Sequence, residues 1–343
     1  MNDLLLSLGS TYRTAQLSAG SIGYDKNNVR SLELPPNLLQ RGIVMRLTGN
    51  LTIGVANATV FSEAPLGLLR KLEIIGDGRR YLVSASGRDL YRMAHFTWGK
   101  APELSAPSNV VGTRAFSATI RFDHEAMHMM DPSESLFDPR LFKQVKLALT
   151  WGAETDIATA GGGGTIAIDT ANTSLDVFVD QTAEGVNKIL FDRLISFEEK
   201  DVTATGTLSF EVPQNGLLAG FWIRADRDSG AGAGPVPVDD LVTAISLKSD
   251  QTVVHVDGIR WATQQRWNTL KYQLDGGATT GAQIPGWVYV DLTENGMFSS
   301  ALNVNALNKL QVRLDVTRTA GTEMVRVVYN FFEPRRGLAT SVE

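Results

Sequence analysis

Five consecutive residues carry the sharpest chemistry in this sequence: His124-Glu125-Ala126-Met127-His128. On a helix, two histidines four apart share one face and hold zinc, and the glutamate between them serves as general base. The surroundings oppose that use. The run directly follows a predicted strand ending at Phe122, and Asp131-Pro132 comes soon after it. A residue before proline avoids helical backbone, so about two turns of helix are the most that fit. The other histidines, His95 and His255, do not stand at the downstream spacing of the extended zinc motif. A zinc peptidase acting through His124-Glu125-x-x-His128 is therefore the weakest of the functional readings, and no catalytic, cofactor or metal residues are assigned.

Other chemical constellations are thinner. The chain has no cysteine, which excludes disulfides, Cys-ligated zinc and thiol catalysis. Gly161-Gly162-Gly163-Gly164 is followed by the strand-like Thr165-Ile166-Ala167-Ile168, and Ser229 to Gly234 ends at Pro235. A phosphate cradle needs a helix after the glycines and a placed lysine, so both runs read as loops. No Gly-x-Ser-x-Gly elbow is present. Trp98, Trp151, Trp222, Trp261, Trp267 and Trp287 read as core or interface anchors, with sugar stacking as the rival use. The formal net charge of -5 supplies no basic face for nucleic acid. The expectation is a protein that is not an enzyme, has no cofactor and makes no direct sequence-specific contact with nucleic acid.

The elements that would position these residues are strands, and they come twice. Leu72 to Gly76, a polar turn, and Tyr81 to Ser86 read as a hairpin. Ile245 to Ser249, a turn, and Thr252 to Gly258 repeat it 173 residues later. Gln144-Val145-Lys146-Leu147-Ala148-Leu149-Thr150 matches Gln311-Val312-Arg313-Leu314-Asp315-Val316-Thr317 at a spacing of 167. Both alternate apolar and polar residues, as a half-buried strand requires. Each is preceded by a strand (Ala118 to Phe122; Trp287 to Leu292) and a helical turn (Asp131 to Phe137; Ser299 to Leu307). Each is followed by a closing strand, Leu175 to Val179 and Met324 to Tyr329. Asp131 is placed to cap the first turn, with Pro132 at its first position and Glu134 where a capping box wants it. Long helices are not expected.

The predicted map has an N-terminal arm over residues 1–40, a first sandwich over 41–190, a second over 191–335 and a tail over 336–343. The first sandwich opens with Ile43 to Leu47 and the second near Gly206 to Val212. No run of about eighteen apolar residues exists, so no membrane span is predicted. Met1 to Gly9 lacks a basic start and a small-residue cleavage pattern, so a secretory signal is not expected.

This layout resembles the double jelly-roll major capsid proteins of tailless icosahedral viruses, including membrane-containing bacteriophages. The resemblance covers about residues 41 to 335. It rests on two sandwiches in one chain, a helical turn before the seventh strand of each, and an arm. It implies an all-β fold of two tandem eight-stranded jelly rolls with short helical turns in the loops. It also implies a homotrimer that forms a pseudo-hexameric tile of an icosahedral virion shell, assembled in the host cytoplasm. The expected partners are the chain itself, other virion proteins such as penton or minor capsid proteins, and an internal lipid membrane. Leu4, Leu5, Leu6 and Leu8 of the arm are placed to touch such a membrane or to clamp a neighbouring subunit. Loops 158–164 and 229–235 are the candidates to face the host. A two-sandwich carbohydrate- or receptor-binding protein, lectin-like or from a tail fibre, is the alternative.

Overall fold

The structure, a computed structural model, describes residues 14–126, 129, 131–182, 189–228, 234–249, 252–275, 283–293, 296–319 and 321–335. The chain divides into two compact units. The first is built from residues up to Ala94, Pro102–Leu194 and Glu333 onward; the second from His95–Ala101 and Ile195–Phe332.

Eight strands organise the first half of the chain: β1 (Thr14–Gly23), β2 (Val29–Glu33), β3 (Leu39–Gly54), β4 (Leu69–Gly76), β5 (Arg80–Ala85), β6 (Gly112–Asp123), β7 (Val145–Trp151) and β8 (Ser174–Thr182). They form two antiparallel sheets, ordered β1-β8-β3-β6 and β2-β7-β4-β5. Eight more follow: β9 (Phe191–Asp201), β10 (Gly206–Glu211), β11 (Leu217–Asp228), β12 (Val242–Ser249), β13 (Thr252–Arg260), β14 (Trp287–Asp291), β15 (Leu310–Val316) and β16 (Thr322–Pro334). Their orders are β9-β16-β11-β14 and β10-β15-β12-β13. Each order in the second half is that of the first with eight added to every label. This is the two-Greek-key jelly roll, made twice.

Period-two alternation puts the apolar residues inside. In β3, Ile43, Met45 and Leu47 are buried, and across the ladder stand Val179, Val177 and Leu175 of β8. In β15, Val312 and Leu314 are buried while Gln311, Arg313 and Asp315 are not. Each fully buried aliphatic side chain of this kind contributes about 1.5–3 kcal/mol through the hydrophobic effect.

Two expectations need correction. Residues 14–40 are not an arm: β1 pairs with β8 and β2 with β7, so this stretch completes the first jelly roll. The leucines at 4, 5, 6 and 8 lie outside the described residues. Two helices of twelve residues are also present, α1 (Gly87–Trp98) and α2 (Trp261–Tyr272). Each follows a hairpin, β4-β5 or β12-β13. Each ends at a left-handed residue, Gly99 (φ 71°) and Gln273 (φ 49°). First residues, last residues and caps of the two helices are all 174 positions apart. The shorter expected turn is present as well: Pro132–Ser135 is a 3-10 turn, and the Asp131 carboxylate accepts from the Ser133 N–H at 3.1 Å.

Candidate functional site

The segment His124-Glu125 is not helical. The backbone N–H groups of both residues donate to the Arg41 carbonyl, at 2.8 and 3.1 Å, which ties the bend after β6 to β3. The His124 ring is 1 % exposed. It stacks on Phe137 with centroids 4.7 Å apart and meets Phe122 edge-on at 4.9 Å. Its Nε2 has no hydrogen-bond partner. Burial, and then the nearby Arg193 and Arg335 cations, push its pKa down to about 3. The ring is therefore neutral and sealed among aromatic side chains. Glu125 binds the Arg41 guanidinium at 2.7 Å, and His128 lies outside the described residues. Among the described residues no three His, Asp or Glu side chains gather as a metal site would need. The geometry makes His124 a packing residue and gives no support to zinc chemistry.

The tryptophans separate into two classes. Trp151, Trp222, Trp261 and Trp287 are buried, as core anchors should be. Trp98 and Trp267 are not, at 46 % and 59 % exposed. The glycine loop at 158–164 is tied down rather than free. Ala158–Thr159 pairs with Thr59–Val60, and the Gly164 N–H donates to the Gly161 carbonyl at 2.8 Å. A Cβ on Gly161 would stand 2.1 Å from the Asn57 carbonyl oxygen, so the close approach needs glycine. Exposed Val55, Val110 and Val111 lie in neighbouring loops of the same unit, joined by hydrogen bonds from Ala58 to Asn109 and from Val111 to Asn57. Most of the loop at 229–235 lies outside the described residues.

In the second unit, α2 covers the outer edge of β14 through side-chain amides. Asn268 Nδ2 donates to the Tyr289 carbonyl at 2.7 Å, and Asn268 Oδ1 accepts from the Tyr289 N–H at 2.8 Å. Gln264 Nε2 adds a second donor to that carbonyl at 2.7 Å. One amide thus mimics the paired N–H and C=O of a neighbouring strand. Beside these residues is a cleft of about 690 Å³ whose lining includes Arg260, Thr263, Trp267 and Lys271. Lys271 donates to Asp291 at 2.6 Å, and Tyr272 to the same carboxylate at 2.8 Å. Burial works to raise the Asp291 pKa, but Lys271 and the Thr293 hydrogen bonds outweigh it and hold the carboxyl below its usual range. Burial, with Tyr289 and Asp291 adding to it, pushes the Tyr272 hydroxyl up.

The sequence reading missed both helices and hence this surface. One signal was present: Ser86-x-x-Asp89 is a capping box. The Ser86 N–H donates to Asp89 Oδ2 at 2.8 Å, and the Asp89 N–H to Ser86 Oγ at 3.2 Å. The start of α2 has no side-chain cap.

No protein-family profile matches the chain, and no curated protein does. Solved structures do match. The major capsid protein of Sulfolobus turreted icosahedral virus superposes with a TM-score of 0.70 at 15 % identity, over 96 % of this chain and all of that one. The major capsid protein P2 of bacteriophage PM2 gives 0.62 at 13 %, over 95 % and 99 %. The PBCV-1 virus capsid gives 0.62 at 10 %, over 93 % of each chain. The likeness spans both units end to end, and the chain therefore has the double jelly-roll fold of these viral capsid proteins.

Proposed function

We propose that this chain is the major capsid protein of an icosahedral virus and acts as a structural subunit, not an enzyme. The observation that carries the reading is the repetition of one eight-stranded topology within a single chain. Three copies of such a chain present six similar units, and a closed threefold ring then fills a position with six neighbours. The working form is a homotrimer that tiles the virion shell, assembled in the host cytoplasm. Its partners are further copies of itself and the other virion proteins that close the shell, such as penton and minor capsid proteins. The leucines of the first nine residues supply contact to an internal lipid layer or to a neighbouring subunit. The net charge of -5 suits a wall that does not bind the genome directly.

Native mass spectrometry and electron microscopy of the purified protein test this. The expected result is a species of three times the 37.2 kDa chain, with hexagonal outlines that pack edge to edge. A protein that stays monomeric at every concentration and binds glycans overturns it in favour of a lectin-like protein.

A further inference from the structure

Trp267 of the second unit is an indole turned to solvent. It is 59 % exposed and has no ring or hydrogen-bond partner among the described residues. Its equivalent in α1, Met93, is 3 % exposed, so the repeated fold does not call for an open indole at this place. Trp267 lines the cleft of about 690 Å³, a size usual for small-ligand sites. Thr263, Trp267 and Lys271 are spaced four apart, share one face of α2 and all line that cleft. Arg260 lines it as well; it is exposed and has neither an ion pair nor a hydrogen bond among the described residues. Lys271 gives one of its three donors to Asp291.

The opposite wall is β13, and it is deformed. Asp257 and Gly258 together stand opposite the single residue Ser246, since Ile259 pairs with Ile245 and Val256 with Leu247. Gly258 is left-handed (φ 62°), and its N–H donates to Ser246 Oγ at 2.9 Å. This is a glycine β-bulge, a device that re-aims the side chains beside it. Exposed Asp257 takes its place in the lining of the cleft there.

We propose that this cleft binds a carboxylate-bearing sugar, a uronic or sialic acid at the end of a glycan, with the pyranose face on Trp267 and the carboxylate on Arg260. An indole presents a negative face, which attracts the C–H side of a pyranose ring. A guanidinium matches a carboxylate through two parallel hydrogen bonds. The remaining groups suit hydroxyls, which both donate and accept: Thr263 does both, Lys271 donates and Asp257 accepts. Asp257 also separates this occupant from nucleic acid, the other ligand that stacks on tryptophan. A phosphate chain has no donor for a carboxylate and is repelled by it. The matching places of the first unit are Ser86, Asp89, Met93 and Thr97, so the site occurs once per chain. The inference adds an attachment function to the shell role and does not depend on the trimer.

The purified full chain is tested on an array of glycans with uronic- and sialic-acid termini beside neutral hexose termini. The acidic glycan that binds best and a short oligothymidylate are then titrated by calorimetry. Acidic termini are expected to bind about tenfold or more tightly than their neutral counterparts. Trp267→Ala should raise the Kd about tenfold or more, and Trp267→Phe should keep part of the affinity. Arg260→Gln should bring the acidic glycan down to the affinity of its neutral counterpart. Leu270→Ala, on the same helix but outside the cleft, should leave binding unchanged. Trp267 and Arg260 are exposed, so circular dichroism should show each variant folded. An array with no acidic terminus bound, or binding that survives Trp267→Ala, overturns the site. Tighter binding of the oligothymidylate than of every acidic glycan overturns it in favour of nucleic acid.

Discussion

The helices α1 and α2 hold equivalent places after equivalent hairpins, yet what they bury differs. Helix α1 buries Leu90, Tyr91, Met93, Ala94 and Phe96, together with the ionisable side chains of Arg88, Asp89 and His95. Helix α2 buries Gln264, Gln265 and Asn268 along with Trp261 and Tyr272. The fold fixes where a helix sits and leaves its residue types free, on one condition. A buried amide must find partners, because an unmade hydrogen bond costs about 1–3 kcal/mol. Gln264 and Asn268 meet the condition at Tyr289, and Gln265 donates to Asp239 and to the Ile284 carbonyl. His124 in the first unit shows the other outcome, a ring nitrogen buried with none.

The strongest way to break the comparison is to truncate one position in both helices. Phe96→Ala should cost about 3–5 kcal/mol of unfolding free energy in urea, as large-to-small core changes do. Leu270→Ala, 174 residues later, should change the dissociated subunit by less than about 0.5 kcal/mol, as surface substitutions do. Equal losses would show that the helices are not buried differently. Next in size is Asn268→Ala. It orphans the Tyr289 N–H and should cost about 2 kcal/mol. Ala94→Asn forces a larger, polar side chain into the matching buried site of α1 and should cost about as much; the same denaturation assay reads both.

The unbonded histidine sharpens the contrast through pH. Its folded pKa of about 3 lies below the unfolded value near 6.5. Above pH 6.5 both states are neutral and its contribution is constant. As pH falls from 6.5 toward 3, only the unfolded chain takes up the proton, and stability drops by about 1.4 kcal/mol per pH unit. His124→Phe keeps the stacking on Phe137 and should remove that part of the slope between pH 6.5 and 4. A slope left unchanged would mean that the ring protonates in place. The smallest effect concerns the caps. Asp89→Ala should lose about 1 kcal/mol, seen as a lower Tm. Thr263→Asp, the matching residue of the uncapped helix, should gain about 0.3–0.5 kcal/mol from the helix dipole.

These cases also explain what was legible in the sequence. The hairpins and the paired strands β7 and β15 were readable because they are buried on one face only, so period two survives in the residues. Helix α1 was marked in the sequence, by Arg88, Arg92 and His95 at helical spacing and by Ser86 and Asp89 at its start; it was passed over because the residues of that polar stripe are themselves buried or half-buried and lie directly after a hairpin. Helix α2 turns glutamines and asparagine inward, which erases the apolar period entirely. Strand β1 is rich in small and polar residues, Ser18, Ala19, Gly20 and Ser21 among them, and so read as an arm. The zinc pattern at His124 failed for a different reason. Spacing puts both ligands on one face only on a helix, and this segment bends at His124 and Glu125, with the His124 ring walled in by Phe122 and Phe137.

The amide of Asn268, seated on Tyr289, has a consequence for how copies of this chain meet. A bare strand edge invites another backbone to zip onto it, and such ladders grow without limit and rarely come apart. Here that template is already taken, by a side chain from the same polypeptide. Neighbours are left to recognise one another through side-chain surfaces, which release a wrongly placed copy as readily as they accept a right one. Growth by such contacts is self-correcting, and fibre formation from this edge is denied at its first step.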